Sequence, residues 1–326
     1  MRATVISAIL TIATGVYIFT MVSQTFAADV LGVHILSTGE LEDAKALVKT
    51  EDHKNDWDYV TIPFTLDDIP RKVEWQRFFY QARDLKFKPI VRLATRFQNG
   101  AWVIPSRKDI VELAATLSSL DWPDPSDRIV VVFNEPNHQQ EWGNILDPEG
   151  YASILQFTAD WFHSEQVGYV VLPAGLDLAA PNGRDTIEAF AYLGKMVGSQ
   201  ERMLDSLDGW TSHSYPNPAF SASPKANGKN SIRGFEYELA YLRTLTSKEF
   251  PVYITETGWV ENKQTSKWLP QYYKYAVDHV WSDPRVRAVT PFVLKGAPGS
   301  FASFSFYDSE GKPTHHFDAY RKALGQ

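Results

Sequence analysis

The feature that most constrains the fold is a run of five apolar residues, Ile129 to Phe133, that ends at Asn134, Glu135 and Pro136. Four of the five are β-branched, which predicts a strand buried on both faces, the kind found inside a parallel sheet. Proline has no amide hydrogen to continue the ladder, so the amide and the carboxylate are expected at the carboxyl end of this strand. In barrels and open α/β sheets, that end carries the functional residues.

A second apolar run also ends at a glutamate. Residues 252–256 read as a strand that ends at Glu256, and Thr257, Gly258 and Trp259 follow directly. Two glutamates are therefore presented by two separate strands in the same way. If the strands belong to one parallel sheet, both carboxylates lie at the same edge.

The rest of the chain alternates strand-like and helix-like segments. The predicted strands cover residues 30–36, 57–63, 88–94, 129–133, 169–174, 207–213, 252–256 and 286–294. The predicted helices cover residues 40–50, 75–85, 108–120, 148–166, 185–197, 234–245, 269–282 and 317–324. Eight strands that alternate with eight helices predict an α/β fold, a single (β/α)8 TIM barrel. No linker-like segment interrupts residues 29–326, which we interpret as one domain.

The N-terminus has the properties of a targeting signal. Within residues 1–28, Arg2 is the only charge, residues 5–22 are apolar, and Thr25 and Ala27 are small residues suited to cleavage before Ala28. A signal peptide of this kind predicts a secreted or periplasmic protein. The alternative is an uncleaved anchor, because about 18 apolar residues is just within the range that spans a membrane.

Composition excludes several classes of function. The net charge of −7 and the absence of a basic stripe argue against a nucleic-acid partner. The chain has no cysteine, which excludes thiol chemistry and cysteine metal sites. Histidine spacing fits no metal motif, and there is no glycine-rich phosphate loop. We therefore expect no metal and no cofactor, no stable membrane insertion of the domain, and a monomer.

In a barrel, Glu135 would end strand four and Glu256 strand seven, and both would face one mouth. Two carboxylates across a mouth suit glycosidic-bond hydrolysis, with one as acid and the other as nucleophile or base. Asn134 could bind a sugar hydroxyl. Strand six ends with His213 and Tyr215, which could reach Glu256, and a phenol that donates to a carboxylate favours its charged form.

These residues carry a family resemblance. Asn134-Glu135-Pro136, Thr255-Glu256-Thr257-Gly258-Trp259 and His213-x-Tyr215 resemble the signatures of clan A retaining glycoside hydrolases, particularly family-39-type enzymes and related polysaccharide hydrolases. A Gly-Lys-Pro turn at 311–313 before the last helix is also similar. The resemblance spans nearly all of the expected exported region. It implies a TIM barrel with a poly- or oligosaccharide substrate, with Glu135 as acid/base and Glu256 as nucleophile.

The chain also departs from that pattern. Clan members often carry a tryptophan at the end of strand eight, and residues 291–295 contain none. The arginine that clan members hold beside the nucleophile has Arg92 as its candidate here. Each candidate sugar contact has a structural alternative: a strand cap, a buried histidine, a loop anchor or an ion pair. These candidates are Asn134, His213, Tyr215, Trp259, Arg92, His34, Trp142 and Lys295.

The sequence therefore predicts an exported retaining β-glycoside hydrolase. Long segments after strands six and eight favour a groove and endo action on a polymer. Two alternatives stay open. One is a catalytically inert carbohydrate-binding barrel, and the other is a barrel enzyme that uses its carboxylates for metal or proton-transfer chemistry.

Overall fold

A computed structural model of the chain describes residues 30–51 and 54–326. The targeting segment expected at residues 1–28 lies outside the described residues. In the part of the chain that is described, no helix is both long and apolar enough to cross a membrane.

Eight strands and eight main helices alternate along the described chain. The strands are β1 (Gly32–His34), β2 (Asp58–Thr65), β3 (Phe87–Ala94), β4 (Arg128–Val132), β5 (Tyr169–Pro173), β6 (Trp210–His213), β7 (Val252–Glu256) and β8 (Val286–Val289). The helices are α1 (Leu41–Val48), α2 (Lys72–Leu85), α3 (Arg107–Ser118), α4 (Pro148–Glu165), α5 (Ala189–Ser199), α6 (Gly234–Leu242), α7 (Leu269–His279) and α8 (His315–Ala323). A small antiparallel hairpin, Phe97–Gln98 with Ala101–Trp102, follows β3.

The eight strands are parallel and follow one another in chain order. Strands β1 to β5 form one sheet and β6 to β8 a second. Isolated parallel bridges cross the two gaps, Leu31 with Val289 and Asp177 with His213. The amide of His34 also donates to the carbonyl of Pro291 at 3.0 Å. This is the (β/α)8 barrel arrangement, and it confirms the predicted fold class.

Strand β4 shows why its sequence is continuously apolar. Ile129 and Val131 belong to a small cluster of strand residues, whereas Val130 and Val132 belong to the larger cluster that includes the helices. Successive side chains of a strand point to opposite faces, so both faces of β4 are buried. The small cluster is the barrel interior: Ile90, Ile129, Val131, Leu172, Tyr253 and Ala288.

Two helices begin at clear capping signals. Before α3, Ser106 and Asp109 form a reciprocal capping box. Before α4, the Asp147 carboxylate accepts from the amide of Gly150 at 2.9 Å, and Pro148 occupies the first turn, where its missing amide hydrogen costs nothing. These local interactions satisfy amide groups that a helix cannot satisfy within itself.

The predicted boundaries differ most from the structure at two elements. Strand eight was expected to reach residue 294 but ends at Val289, because the chain turns at Pro291, which has no amide hydrogen to donate. Helix five was expected from residue 185 but begins at Ala189. There the Glu188 carboxylate accepts from the amide of Ala191 at 2.9 Å and caps the helix.

Substitution of Leu172 tests whether the small strand cluster is the barrel interior. Leu172 is fully buried in this cluster, so Leu172→Ala should lower the free energy of unfolding by about 2–5 kcal/mol through lost burial and a cavity. Urea unfolding measures this change. Val167→Ala is the matched control, because Val167 is 95% exposed and its loss should change stability by at most about 0.5 kcal/mol. Equal unfolding midpoints for the two variants would contradict the interior assignment.

Candidate active site

The barrel brings Glu135 and Glu256 together at the carboxyl ends of their strands. Glu256 is the last residue of β7, and Glu135 follows β4, with its amide donating to the carbonyl of Gly175 at 3.1 Å. Phe133 and Glu135 both have positive φ values, 72° and 29°. This region is costly for residues other than glycine, so the surrounding structure must fix the backbone here.

Glu256 is a buried carboxylate surrounded by donors. Arg92 Nη1 donates to its Oε1 at 2.6 Å, and the Tyr215 hydroxyl donates to its Oε2 at 3.2 Å. Nδ1 of His213 lies 3.9 Å from Oε2. Burial alone would raise the pKa of Glu256, but the charges of His213 and Arg92 outweigh burial and hold the pKa below its ordinary value. Glu256 is therefore kept ionised.

Glu135 has a different environment. His213 Nδ1 lies 2.8 Å from its Oε1, and its side chain is 22% exposed against 11% for Glu256. Burial would lower the pKa of His213, but the negative charges of Glu256 and Glu135 outweigh burial and raise it. A proton at this imidazole is thus stabilised by both carboxylates.

The separation of the two carboxylates fits one stereochemical class. One oxygen of Glu135, one oxygen of Glu256 and one nitrogen of His213 all lie within 4.8 Å of one another. Retaining glycosidases hold their two carboxyl groups roughly 5–5.5 Å apart, whereas inverting enzymes need about 6.5–9.5 Å to admit a water molecule. The nearest carboxylate oxygens of Glu135 and Glu256 are therefore closer together than the separation that inverting enzymes use.

The same three side chains offer ligand atoms for a divalent cation. Arg92 already donates to Glu256 Oε1, and its fixed positive charge would oppose a metal at that oxygen. The sequence-based expectation of no metal and no cofactor stays a prediction.

Arg92 and Asn134 form a second polar contact at the mouth. The same Nη1 atom that meets Glu256 also donates to Asn134 Oδ1 at 2.7 Å. Arginine can only donate, so this contact fixes the amide with its oxygen towards Arg92. The amide nitrogen of Asn134 donates one hydrogen to the Glu141 carboxylate, which leaves its second hydrogen for the cleft.

His34 supports the end of β7 from β1. Burial, with the charge of Arg92 as the next cause, lowers its pKa to about 3, so the imidazole is neutral. Its Nδ1 lies 3.3 Å from the carbonyl oxygen of Thr255, which can only accept, so Nδ1 carries the hydrogen. His34 Nδ1 is also 3.9 Å from Glu256. The residue therefore fixes the backbone next to the buried carboxylate.

Alternation along β6 explains how His213 and Tyr215 reach the mouth. The outward-facing residues are held by Glu238 of α6, which accepts from Trp210 Nε1 at 3.0 Å and from the Ser212 hydroxyl. His213 and Tyr215 point inward, because neighbouring side chains along a strand point to opposite faces. The buried contacts between β6 and α6 thus set the position of both site residues.

A cleft of about 710 Å³ opens above the carboxylates. Five aromatic side chains form one part of its wall, with ring centres 4.9–6.4 Å apart between neighbours: Tyr215, Phe220, Phe292, Phe301 and Phe304. Phe292 takes the place, after strand eight, where clan members often carry tryptophan. Its ring meets His34 edge-on with centroids 5.1 Å apart, so it forms the floor beside Glu256.

Eight of the ten predicted site residues converge at this mouth. Six border the cleft, and two, His213 and His34, contact the carboxylates from beneath. The six are Arg92, Asn134, Glu135, Trp142, Tyr215 and Glu256. Trp142 is nevertheless almost fully buried, and it packs on Phe133 and Tyr151 with ring centres 5.8 and 5.3 Å away.

Trp259 and Lys295 lie apart from the other eight. Gly258 has a φ of 130°, and the turn there sends Trp259 into the core, where its Nε1 donates to the carbonyl of Ala222 at 2.8 Å. Lys295 forms an ion pair with Asp43 on α1. Neither side chain borders the cleft.

Sequence reasoning missed three polar residues of the cleft. Glu141 borders it, and burial, with the charge of Glu135 as the next cause, raises its pKa to about 7. His138 Nε2 pairs with Asp177 at 2.9 Å, and this hydrogen bond raises the pKa of His138. Glu141 and His138 belong to the segment just after Glu135, so proximity to the motif was the available signal.

Comparison with known proteins gives structural neighbours only. No protein-family model matches the sequence, and no curated protein matches it. A triple variant of the endo-β-1,4-glucanase from Xanthomonas axonopodis pv. citri is 13% identical with a TM-score of 0.61, covering 91% of this chain and 100% of that one. A family 39 glycoside hydrolase from Bacteroides cellulosilyticus WH2 is 14% identical with a TM-score of 0.61, covering 91% and 64%.

A third neighbour is the family 5 xyloglucanase from Paenibacillus pabuli, 14% identical with a TM-score of 0.56, covering 92% of this chain and 100% of that one. Identities this low establish the fold alone. The chain shares the (β/α)8 fold of these glycoside hydrolases, the fold that the sequence resemblance implied.

Glu238 gives a test of the support beneath the site. Burial raises its pKa from an ordinary 4.5 to about 7. At a pH between 4.5 and about 7, Glu238 is ionised in the unfolded chain but still protonated in the folded chain. Its contribution to the free energy of unfolding is therefore fully present below pH 4.5 and is lost as the pH rises to about 7. Glu238→Gln should remove this loss, on the order of 3 kcal/mol.

Thermal and urea unfolding across pH 4 to 8 measure the effect. Glu112→Gln is a suitable control, because Glu112 is exposed and pairs only with Lys108 on its own helix. An unchanged pH slope in Glu238→Gln would mean that Glu238 ionises normally in the folded protein.

Proposed function

We propose that this protein is an exported retaining β-glycoside hydrolase that cleaves O-glycosidic bonds in a poly- or oligosaccharide. One observation carries the proposal: Glu135 and Glu256 end strands four and seven of one barrel, with carboxylate oxygens within 4.8 Å and in unlike surroundings. Two glutamates can serve as acid and nucleophile only if their surroundings differ, because the acid must hold a proton and the nucleophile must be ionised. The signal-like sequence of residues 1–28 supports export.

In the first step, Glu256 acts as the nucleophile. Its ionised carboxylate attacks the anomeric carbon while the bond to the leaving oxygen breaks, and a glycosyl-enzyme ester forms. Glu135 donates its proton to that leaving oxygen. Arg92 and Tyr215 keep Glu256 charged and fix its orientation before the attack.

In the second step, Glu135 is a carboxylate and acts as the base. It takes a proton from water, the resulting oxygen attacks the anomeric carbon, and Glu256 leaves as a free carboxylate with net retention. His213 contacts Oε1 of Glu135, which leaves Oε2 available for proton transfer in both steps. Asn134, fixed by Arg92, offers its amide nitrogen to a sugar hydroxyl beside the reacting carbon.

The shape of the cleft supports endo action. Phe220 comes from the long segment after β6, and Phe301 and Phe304 come from the long segment after β8. Their rings border the cleft that holds the carboxylates, and those of Phe220 and Phe304 meet edge to face with centres 5.3 Å apart. Flat aromatic faces suit several consecutive sugar rings, so a stretch of polymer is the best fit to this groove.

The first test is loss of each carboxylate. Glu135→Ala and Glu256→Ala should each lower kcat by at least about a hundredfold on β-linked polysaccharides and aryl β-glycosides, because each removes one partner of the double displacement. Reducing-sugar and chromogenic assays measure the rates. Glu310→Ala, an exposed glutamate in a turn far along the chain, should match the parent.

Stereochemistry and rescue identify the roles. Azide should restore turnover to Glu256→Ala and give a glycosyl azide of inverted configuration, since azide replaces the carboxylate in a single displacement. Inversion by the parent enzyme would contradict the mechanism. Activity that chelators abolish would favour metal chemistry, and binding without cleavage by the parent would favour an inert carbohydrate-binding barrel.

Tyr215 gives a test based on pH. Its hydroxyl helps to keep Glu256 ionised, so Tyr215→Phe should raise the pKa of Glu256 and move the acidic limb of kcat/KM to higher pH. Loss of a hydrogen bond to a charged group should also lower kcat/KM on the order of tenfold. Tyr237→Phe, which removes an exposed hydroxyl bonded to Asn227, is the control. An unmoved acidic limb would exclude this role.

A further inference from the structure

A second cavity of about 710 Å³ lies along helix α7, separate from the catalytic cleft. It has no part in the proposed chemistry. Its wall combines aromatic rings with cationic side chains, and the residues used below are Lys225, Trp268, Tyr272, Tyr275, Lys274 and Lys322. This composition resembles a ligand site, in which apolar faces supply contact area and a few polar groups supply orientation.

The aromatic rings are held by packing on their far sides. Tyr272 packs on buried Trp259 with ring centres 5.5 Å apart, and Tyr275 packs on His279 at 4.6 Å. Trp268, at the start of α7, is 45% exposed, which is high for a tryptophan, and Lys267 Nζ lies 5.2 Å from its ring centre. Rings held by packing, as those of Tyr272 and Tyr275 are, lose little conformational freedom when a sugar ring contacts them.

The charges of the cavity are positive, although the chain carries a net charge of −7. Lys274 is neutralised by Asp278, with Nζ 2.6 and 2.7 Å from the two carboxylate oxygens. Within the described residues, Lys225 and Lys322 form no ion pair, and Lys225 Nζ lies 5.5 Å above the Tyr275 ring. Two free ammonium groups beside flat rings suit a saccharide that carries carboxylates.

One segment of chain borders both the cavity and the cleft. Phe220 lies in the cleft wall, and Ser223 to Lys225 lie in the wall of the second cavity. The segment is held between them, because Trp259 Nε1 donates to the carbonyl of Ala222 at 2.8 Å and the amide of Val260 donates to Phe220 at 3.0 Å. A polymer bound in the cleft can therefore extend over this segment to the cavity.

The cleft itself is unsuited to acidic sugars. Besides the catalytic pair it contains Glu141 and Asp177. Its cations are Arg92, which is paired with Glu256, and His138, which is paired with Asp177. Among the described residues, Glu141 forms no ion pair with a cation. Carboxylates on the sugar next to the broken bond would be repelled there. Acidic groups on the substrate are tolerated only at a distance from that bond.

We propose that the α7 cavity is a second saccharide-binding site, which holds a carboxylate-bearing stretch of the same polymer whose neutral linkage is cleaved in the catalytic cleft. The inference rests on the proposed function and narrows its substrate class. The substrate is a heteropolysaccharide with neutral sugars at the cleaved bond and acidic sugars further along the chain.

The test measures binding separately from cleavage. The full chain carrying Glu256→Gln is run in native gels that contain polygalacturonate, as the anionic probe, or hydroxyethylcellulose, as the neutral probe. Polygalacturonate should retard it, and Trp268→Ala or the pair Lys225→Ala and Lys322→Ala should raise the dissociation constant at least about tenfold. Added salt should weaken the retardation, because exposed charges are screened.

Matched controls separate this site from general charge effects. Lys108→Ala with Lys312→Ala removes the same charge from exposed positions on α3 and in the turn before α8, and should leave binding unchanged. With Glu256 intact, the cavity variants should hydrolyse a short aryl β-glycoside at the parent rate. Circular dichroism establishes that each variant is folded.

The outcomes distinguish the two proposals. Retardation in polygalacturonate that does not change in the Trp268 and two-lysine variants overturns the acidic-saccharide site, and so does retardation in hydroxyethylcellulose that falls equally in the two-lysine variant. No retardation in polygalacturonate overturns it as well, whether or not the parent enzyme hydrolyses β-glycosides. Trp268-dependent retardation by a protein that hydrolyses none of the tested glycosides keeps the site and rejects the glycosidase assignment.

Discussion

The interaction on which the site depends is the ion pair between Arg92 and Glu256. A carboxylate buried at the end of a central strand would lose several kcal/mol of hydration without compensation, and would become protonated instead. The Arg92 guanidinium, 2.6 Å from Glu256, compensates for the lost hydration, and the Tyr215 hydroxyl adds a second donor. The barrel makes the pair possible, because strands three and seven lie in different sheets and meet only across the mouth.

The same ion pair creates the asymmetry between the two glutamates. Arg92 sits on Glu256 and on Asn134, and Glu135 has His213 as its partner instead. His213 lies between the carboxylates, with Nδ1 2.8 Å from one and 3.9 Å from the other. The imidazole therefore lies in the field of both carboxylates, while Arg92 contacts only one of the two.

Much of this arrangement could be predicted from the sequence, because it follows from strand periodicity. The run before Asn134 predicted burial on both faces, and strand order placed His213 and Tyr215 at the mouth that holds Glu256. The family resemblance made Arg92 the candidate for the arginine beside Glu256. Features that depend on local turns could not be predicted. Gly258 turns the chain so that Trp259 enters the core, and Pro291 ends β8 early, which brings Phe292 into the cleft. Glu141 lies in a short turn of helix that has no periodic signature.

The distribution of charge around the mouth follows from what surrounds each acid. Glu256 and Glu135 are paired by Arg92 and His213, and Asp177 is paired by His138, so their charges are offset locally. Glu141 has the Asn134 amide beside it, and burial, with the charge of Glu135 as the next cause, raises its pKa to about 7. A neutral sugar ring can lie against such a surface, since hydroxyl groups donate to carboxylates, whereas an acidic ring would add a charge that nothing there offsets. Lys225 and Lys322, in the cavity beside α7, favour an acidic sugar ring over a neutral one. The barrel thus presents two surfaces of unlike charge on either side of one segment, and a ligand that satisfies both must carry its acidic groups away from the bond that is broken.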